Sequence, residues 1–161
     1  MDISVLPIII LLPLVLGTTL VSWLKQFSRG VTALAAIGIS LSSLVLLLLH
    51  APDVLNGQVI QQTWRWLPEL GLNLSFRLDA LGLLFALLIS GIGTLIFIYA
   101  YYYLGPKNSL SKLYMLWMLF MAAMLGIALS NNLILLLTFW ELTSISSFLL
   151  VGYWSNYDAA Q

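Results

Sequence analysis

Residues 132–154 read NLILLLTFWELTSISSFLLVGYW, 23 positions that carry a single charge, Glu141. A bilayer core about 30 Å thick is crossed by roughly 20 helical residues rising about 1.5 Å each. The stretch is long and apolar enough to cross, and its one carboxylate falls near mid-depth. Moving outward from it, the same length of uncharged chain recurs. There are 22 such residues between Asp2 and Lys25, 23 between Arg29 and Asp53, 27 between Asp79 and Lys107, and 18 from Leu113 to Ser130. These stretches predict an all-α integral membrane protein with about five transmembrane helices, over roughly residues 3–24, 30–51, 79–104, 111–130 and 132–154.

Composition agrees. The chain of 161 residues is 61% hydrophobic and only 7% charged, with a mean hydropathy of +1.04, well outside the range of soluble domains. Six basic against six acidic residues leave no net charge, which argues against a nucleic-acid partner. There are no cysteines and one histidine, His50, so thiolate chemistry and a zinc site are not expected. No Gly-rich phosphate loop or catalytic triad occurs, and no cofactor or metal is expected.

The first span opens on Met1-Asp2 and shows no small-residue cleavage pattern after Trp23, so it is expected to remain as a membrane helix rather than be removed as a signal peptide. Pro7 and Pro13 lie inside it, and neighbouring groups can take up the carbonyls they free. The connections are short, with Ser130-Asn131-Asn132 a tight turn and Gly105-Pro106 a stop. The exception is residues 52–78. Its second half, Leu72-Asn73-Leu74-Ser75-Phe76-Arg77, alternates apolar and polar strictly, and a Pro68/Gly71 turn precedes it. This predicts an extramembrane β-hairpin over about 57–77, between the second and third helices, with Trp64 and Trp66 near the headgroups. Lys25, Arg29, Lys107 and Lys112 fall in loops on one side, and Arg65 and Arg77 on the other. The excess places the former side in the cytoplasm, with the N-terminus outside and the C-terminus inside.

Glu141 is the residue that demands a reason. An acid at the centre of a membrane helix costs about 2.5–3.5 kcal/mol on insertion scales, and such residues belong mostly to ion or proton pathways. Thr138 and Ser144 stand three residues to either side and share its helix face, and Thr143, Ser146 and Ser147 add hydroxyls. The expectation is a polar face turned to the protein interior, with Glu141 transferring protons and Thr138, Ser144 and Ser147 lining a pathway. His50, at the end of the second span, is a candidate relay at its mouth, although an interfacial role accounts for it as well. A purely structural Glu141, bonded to a neighbouring helix, is the competing reading. Asp79 reads as a helix N-terminal acid with Arg77 as local partner. Tyr99, Tyr101, Tyr102 and Tyr103 read as an interface belt, and Gly82, Gly91 and Gly93 as points of helix contact.

Residues 139–154, from Phe139-Trp140-Glu141-Leu142 to Val151-Gly152-Tyr153-Trp154, closely resemble the fifth helix of the large A subunit of Mrp-type multisubunit cation/proton antiporters. Residues 77–93, Arg77-Leu78-Asp79-Ala80 onward, resemble the third helix. The antiporter-like proton-pumping subunits of NADH–quinone oxidoreductase are related. In those the Trp-Glu pair is usually followed by Gly-Val-Gly, whereas Leu142-Thr143-Ser144 here favours the antiporter branch. The resemblance implies a subunit of a secondary transporter in the cell membrane that exchanges Na+ (or K+) for protons alongside other subunits, rather than an enzyme. It implies that Glu141 is the essential helix-five glutamate, paired with a lysine two helices later. It also divides the chain into residues 1–110, the first three helices with the hairpin, and residues 111–161, the start of a proton-antiporter repeat. Family members have about fourteen helices with two inverted five-helix repeats, so the repeat is expected to be truncated here and its lysine to lie on a further segment or chain. A membrane subunit of an NADH–quinone oxidoreductase or related redox complex, and an inactive structural fragment, are the alternatives.

Overall fold

The computed structural model describes residues 5–23, 28–67, 72–104 and 110–158. In chain order the elements are α1 (Val5–Leu11), a π-helical segment (Leu12–Gly17), α2 (Thr18–Trp23), α3 (Arg29–Leu55), β1 (Ile60–Leu67), β2 (Leu72–Leu78), α4 (Ala80–Tyr103), α5 (Leu110–Leu129) and α6 (Leu133–Asp158). Helices α3 to α6 are each long and apolar enough to cross a membrane, and they match the last four expected spans. The first span is helical from Val5 to Trp23, but its middle widens into the π segment at Pro13.

Proline explains that break and how it is tolerated. Pro13 has no N–H to give to the Ile9 carbonyl four residues earlier. The Ser43 hydroxyl of α3 donates to that carbonyl at 3.2 Å in a fully buried position. Thr18 donates to the Leu14 carbonyl and Thr19 to the Val15 carbonyl at 2.5 Å, binding the carbonyls of the widened turn. A neighbouring helix and local hydroxyls share the repair, as expected for membrane helices.

Helix α3 overruns its expected end. Pro52 sits inside it, and the helix stops at Asn56-Gly57 instead. Gly57, at φ +88°, takes the left-handed conformation that glycine adopts without strain. Its N–H bonds the Val54 carbonyl at 3.0 Å and the next N–H, of Gln58, bonds Asp53 at 3.1 Å, the two reciprocal bonds of a Schellman stop. Asp79 caps α4 as expected. Its Oδ1 accepts from the Gly82 N–H at 2.8 Å, and Arg77 lies 3.2 Å from its other oxygen.

The expected hairpin is present as β1 paired antiparallel with β2, from Ile60 opposite Leu78 to Leu67 opposite Leu72, with the register shifting between Arg65 and Leu67. The turn at 68–71 lies outside the described residues, as does the Trp66 side chain. Phe76 and Leu78 are buried beneath the pair, and Arg77 is exposed. The hairpin also works as a strap. Gln62 Oε1 accepts from the Leu6 N–H at 3.1 Å, satisfying an orphan donor in the first turn of α1. The Ser75 carbonyl accepts from the Asn131 N–H at 2.9 Å, and Asn73 accepts from the Asn132 side chain at 3.3 Å. The strap thus ties the start of α1 to the α5–α6 turn.

Helix α5 is the core. It packs against every other helix and against β2, and 56% of its membrane window is buried against 11% for α6. Small residues let the backbones approach, notably Ala33, Ala36 and Ser40 on α3, Ala86 and Ser90 on α4, and Ala122 and Ala123 on α5. A Cβ on Gly82 or Gly93 would press on Ala128 or Met121, while one on Gly91 would meet nothing within 4 Å. Among the described residues Gly91 makes no such helix contact.

Candidate functional site

The site is built on α6, and the local sequence sets where that helix begins. Ser130-Asn131-Asn132 turns the chain. Asn132 Oδ1 then accepts from the Ile134 N–H at 2.9 Å, serving as a cap. From there the helix has one seat on the bundle. Gly126 of α5 lies so close to the Phe139 ring that a Cβ there would come within 2.3 Å of it. Phe139 also meets Phe76 of the hairpin, with ring centroids 6.4 Å apart. Leu135, Ser146 and Tyr153 are buried along the same side, with Phe139 and Leu150 partly buried beside them.

That seat decides where Glu141 points. At about 100° per residue, Glu141 lies nearly opposite Phe139 and Leu150 and at the centre of the outward half of α6. Glu141, Thr138 and Ser144 are all exposed, set among exposed Ile134, Leu137, Ile145 and Phe148. The polar face expected to turn inward is turned away from the described helices, because the Phe139 side fits α5 and the opposite side cannot. Thr138 and Ser144 share the face of Glu141, and their hydroxyls donate back to the Ile134 carbonyl at 2.9 Å and the Trp140 carbonyl at 3.2 Å. Ser147 is exposed too, but six positions carry it about 120° round the helix, onto the flank. Among the described residues the only ion pair is Arg77–Asp79, so Glu141 has no cationic partner there.

His50 is not brought to this face. It lies half-buried on α3, with Nδ1 2.8 Å from the Leu46 carbonyl. Helix α3 packs on α1, α2, α4, α5 and the π segment, whereas α6 packs on α5 and β2.

Two polar features take places that the sequence reading did not give them. Ser146 is the one hydroxyl of the 143–147 run that is fully buried, and it donates to the Leu142 carbonyl at 2.8 Å. Ser40 and Thr94 meet between α3 and α4 with their oxygens 2.7 Å apart. Thr94 also donates to the Ser90 carbonyl at 2.8 Å, and Ser40 to the Met121 sulfur at 3.5 Å. The spacing of Ser90 and Thr94 on α4 was the available signal for that meeting with Ser40, whereas Ser43 of α3 turns to α1 instead.

Comparison with known proteins bears on this arrangement. Residues 64–114 match the family model described as NADH-ubiquinone oxidoreductase (complex I), chain 5 N-terminus. Over 157 residues, 98% of the chain, it is 38% identical to the Na(+)/H(+) antiporter subunit A1 of Staphylococcus aureus, and spans 20% of that protein's length. Among solved structures, one chain of the Mrp complex from Dietzia sp. DQ12-45-1b superposes with a TM-score of 0.73 at 26% identity, over 89% of this chain and 15% of that one. A chain of the membrane-bound sulfane sulfur reductase, an archaeal respiratory membrane complex, superposes at 0.71 and 22% identity, over 92% of this chain and 23% of that one, a likeness of fold. In sequence over nearly its whole length the chain is similar to the Na(+)/H(+) antiporter subunit A1, of which it spans a fifth, and in the arrangement of its helices and hairpin it is similar to a chain of the Mrp complex.

Proposed function

We propose that this chain is a membrane component of a multisubunit monovalent cation/proton antiporter, and that Glu141 transfers protons within it. The observation that carries the reading is the position of Glu141. It is one carboxylate at the middle of an apolar helix, centred on a face that these helices leave bare. A carboxylate is not left facing lipid at that depth without a polar or cationic partner. Thr138 and Ser144 flank it on the same face and line the approach, with Ser147 at its edge. Na+ (or K+) and protons are the ions exchanged, and the cation that pairs with Glu141 belongs to a further helix, from the rest of the subunit or from another one. Residues 1–110 form the supporting helices and strap, and residues 111–161 open the transport repeat. The chain sits in the cell membrane with its N-terminus and hairpin outside and its C-terminus in the cytoplasm. His50, outside this face, acts at most at the pathway mouth.

Everted vesicles carrying the assembled complex give the test. Sodium-dependent proton movement, followed by dequenching of a pH-sensitive dye, is expected to vanish with Glu141→Gln and to return in part with Glu141→Asp. Undiminished exchange in the Gln form would remove Glu141 from the proton path. The likeness of residues 64–114 to a complex I subunit favours one second reading, a proton-translocating membrane subunit of a redox-driven complex. Co-purification with flavin and iron–sulfur subunits, rather than with antiporter subunits alone, would select it.

A further inference from the structure

Helix α6 is the least buried of the four membrane-length helices, and it packs mainly on α5 and β2. A helix seated on one neighbour can roll along that line of contact, and a second contact off the line stops the roll. Strand β2 supplies the second contact. The Phe139 ring is held from two sides, by the bare backbone at Gly126 of α5 and by the Phe76 ring, tilted 53° to it. Phe76 is itself buried, so its ring is held in place by close packing. The start of α6 is pinned to the same strand. The Ser75 carbonyl accepts from the Asn131 N–H, Ser75 Oγ accepts from the Asn131 side chain at 3.3 Å, and Phe76 forms a β-bridge with Ser130. Strand β2 is in turn anchored at both levels. Thr63 of β1 meets the Ser75 hydroxyl at 3.0 Å, and the strand ends at Leu78, directly before Asp79, the cap of α4.

We infer that β2 is a bracket that fixes the rotation of α6, and that Phe76 is a positioning residue for Glu141, acting on it through Phe139. The inference rests on the reading of Glu141 as the proton-transferring group. Glu141 follows Phe139 by two positions, about 200° round the helix, so whatever fixes the ring fixes the opposite bearing of the carboxylate. With side chains reaching about 5–6 Å from the axis, a roll of about 20° carries the carboxylate sideways by about 2 Å. Transfer between positioned groups is steeply sensitive to placement, and a displacement of about 1 Å can cost about a hundredfold in rate. The hydroxyls of Thr138, Thr143, Ser144 and Ser146 all donate to carbonyls of α6 itself, so none of these four holds the helix against α5. The roll is left to the Phe139 seat and to the bracket beside it.

The test uses the assembled complex in everted vesicles, with Phe76→Ala and the milder Phe76→Leu, and exchange is normalised to the amount of complex. Phe76→Ala is expected to lower the maximal rate of sodium-dependent proton movement by about tenfold or more, with the half-saturating sodium concentration unchanged. Phe76→Leu should lie between it and the unaltered protein. A second readout reports the roll itself. Leu150 lies about 20° from Phe139 round α6 and shares a groove with Met121 and Met124 of α5. Benzoylphenylalanine in place of Leu150 is expected to photo-crosslink to these methionines, in a ratio that shifts in Phe76→Ala. A side chain that only stabilised the fold would reduce both products and leave their ratio alone. Unchanged exchange in Phe76→Ala, or a lowered rate with the ratio retained, would overturn the bracket. Phe76→Leu keeps most of the buried volume and carries both readouts should Phe76→Ala fail to assemble. Exchange that survives Glu141→Gln refutes the proton role and leaves the crosslink ratio to decide the bracket, so the two failures are distinguishable.

Discussion

Replacing Ser43 by alanine tests the account of the first membrane crossing at one atom. Ser43 is fully buried, and its hydroxyl donates to the Ile9 carbonyl at 3.2 Å. That carbonyl lacks the bond that position 13 would supply in an ordinary helix, because Pro13 has no N–H. No water reaches the site to substitute, so the cost is that of a membrane hydrogen bond, about 0.6 kcal/mol on average and up to about 1.7 kcal/mol. One kcal/mol corresponds to roughly a fivefold change in the folding equilibrium. The sharper form is a double-mutant cycle with Pro13→Ala. Alanine restores a backbone N–H one turn after Ile9, so Ser43→Ala should cost little in that background, giving a coupling of about 0.6–1.5 kcal/mol. Unfolding in mixed micelles, titrated with sodium dodecyl sulfate and read by circular dichroism, measures all four corners. Equal costs of Ser43→Ala in both backgrounds, within about 0.3 kcal/mol, would refute the idea that Ser43 stands in for the missing N–H.

Gly126→Ala puts a Cβ within 2.3 Å of the Phe139 ring and is expected to destabilise by about 1–3 kcal/mol through overpacking; Gly126→Ala with Phe139→Leu should recover part of that loss in the same unfolding assay. Asp79→Ala removes the α4 cap and should cost about 0.5–2 kcal/mol, nearly the same at low and high salt, because the half-exposed Arg77 pair adds little. Cysteines placed singly at Thr63 and at Lys112 should react with a membrane-impermeant maleimide from opposite sides of intact cells, Thr63 from outside; labelling of both from one side would overturn the topology.

Much of the architecture was legible in the chain because membrane helices obey a one-dimensional rule. Backbone polar groups must be satisfied within the segment, so the length of apolar chain locates α3, α4, α5 and α6, the last despite Glu141. Alternation over 72–77 located β2, and Asp79 announced its cap, since both are local effects. The end of α3 was legible too, in Asn56-Gly57, but Pro52 is the more conspicuous signal. It misleads because the left-handed glycine, not the proline, closes the last carbonyls. Pairings between distant positions were not legible. Ser43 with Ile9, Gln62 with Leu6, and Asn131 with Ser75 depend on how helices cross, and nothing in their spacing names the partner.

Glu141 divides the two kinds of knowledge. Its depth, and its sharing of a face with Thr138 and Ser144, follow from the sequence by itself, because a helix has a fixed rise and turn. Its direction does not, since a helical wheel gives angles among side chains but no bearing on the neighbours. That bearing was set by the tertiary fit of Phe139 against the bare backbone at Gly126, which uses up the opposite side of α6. A close-packed contact admits one orientation, and this one leaves the carboxylate on the open face of the bundle.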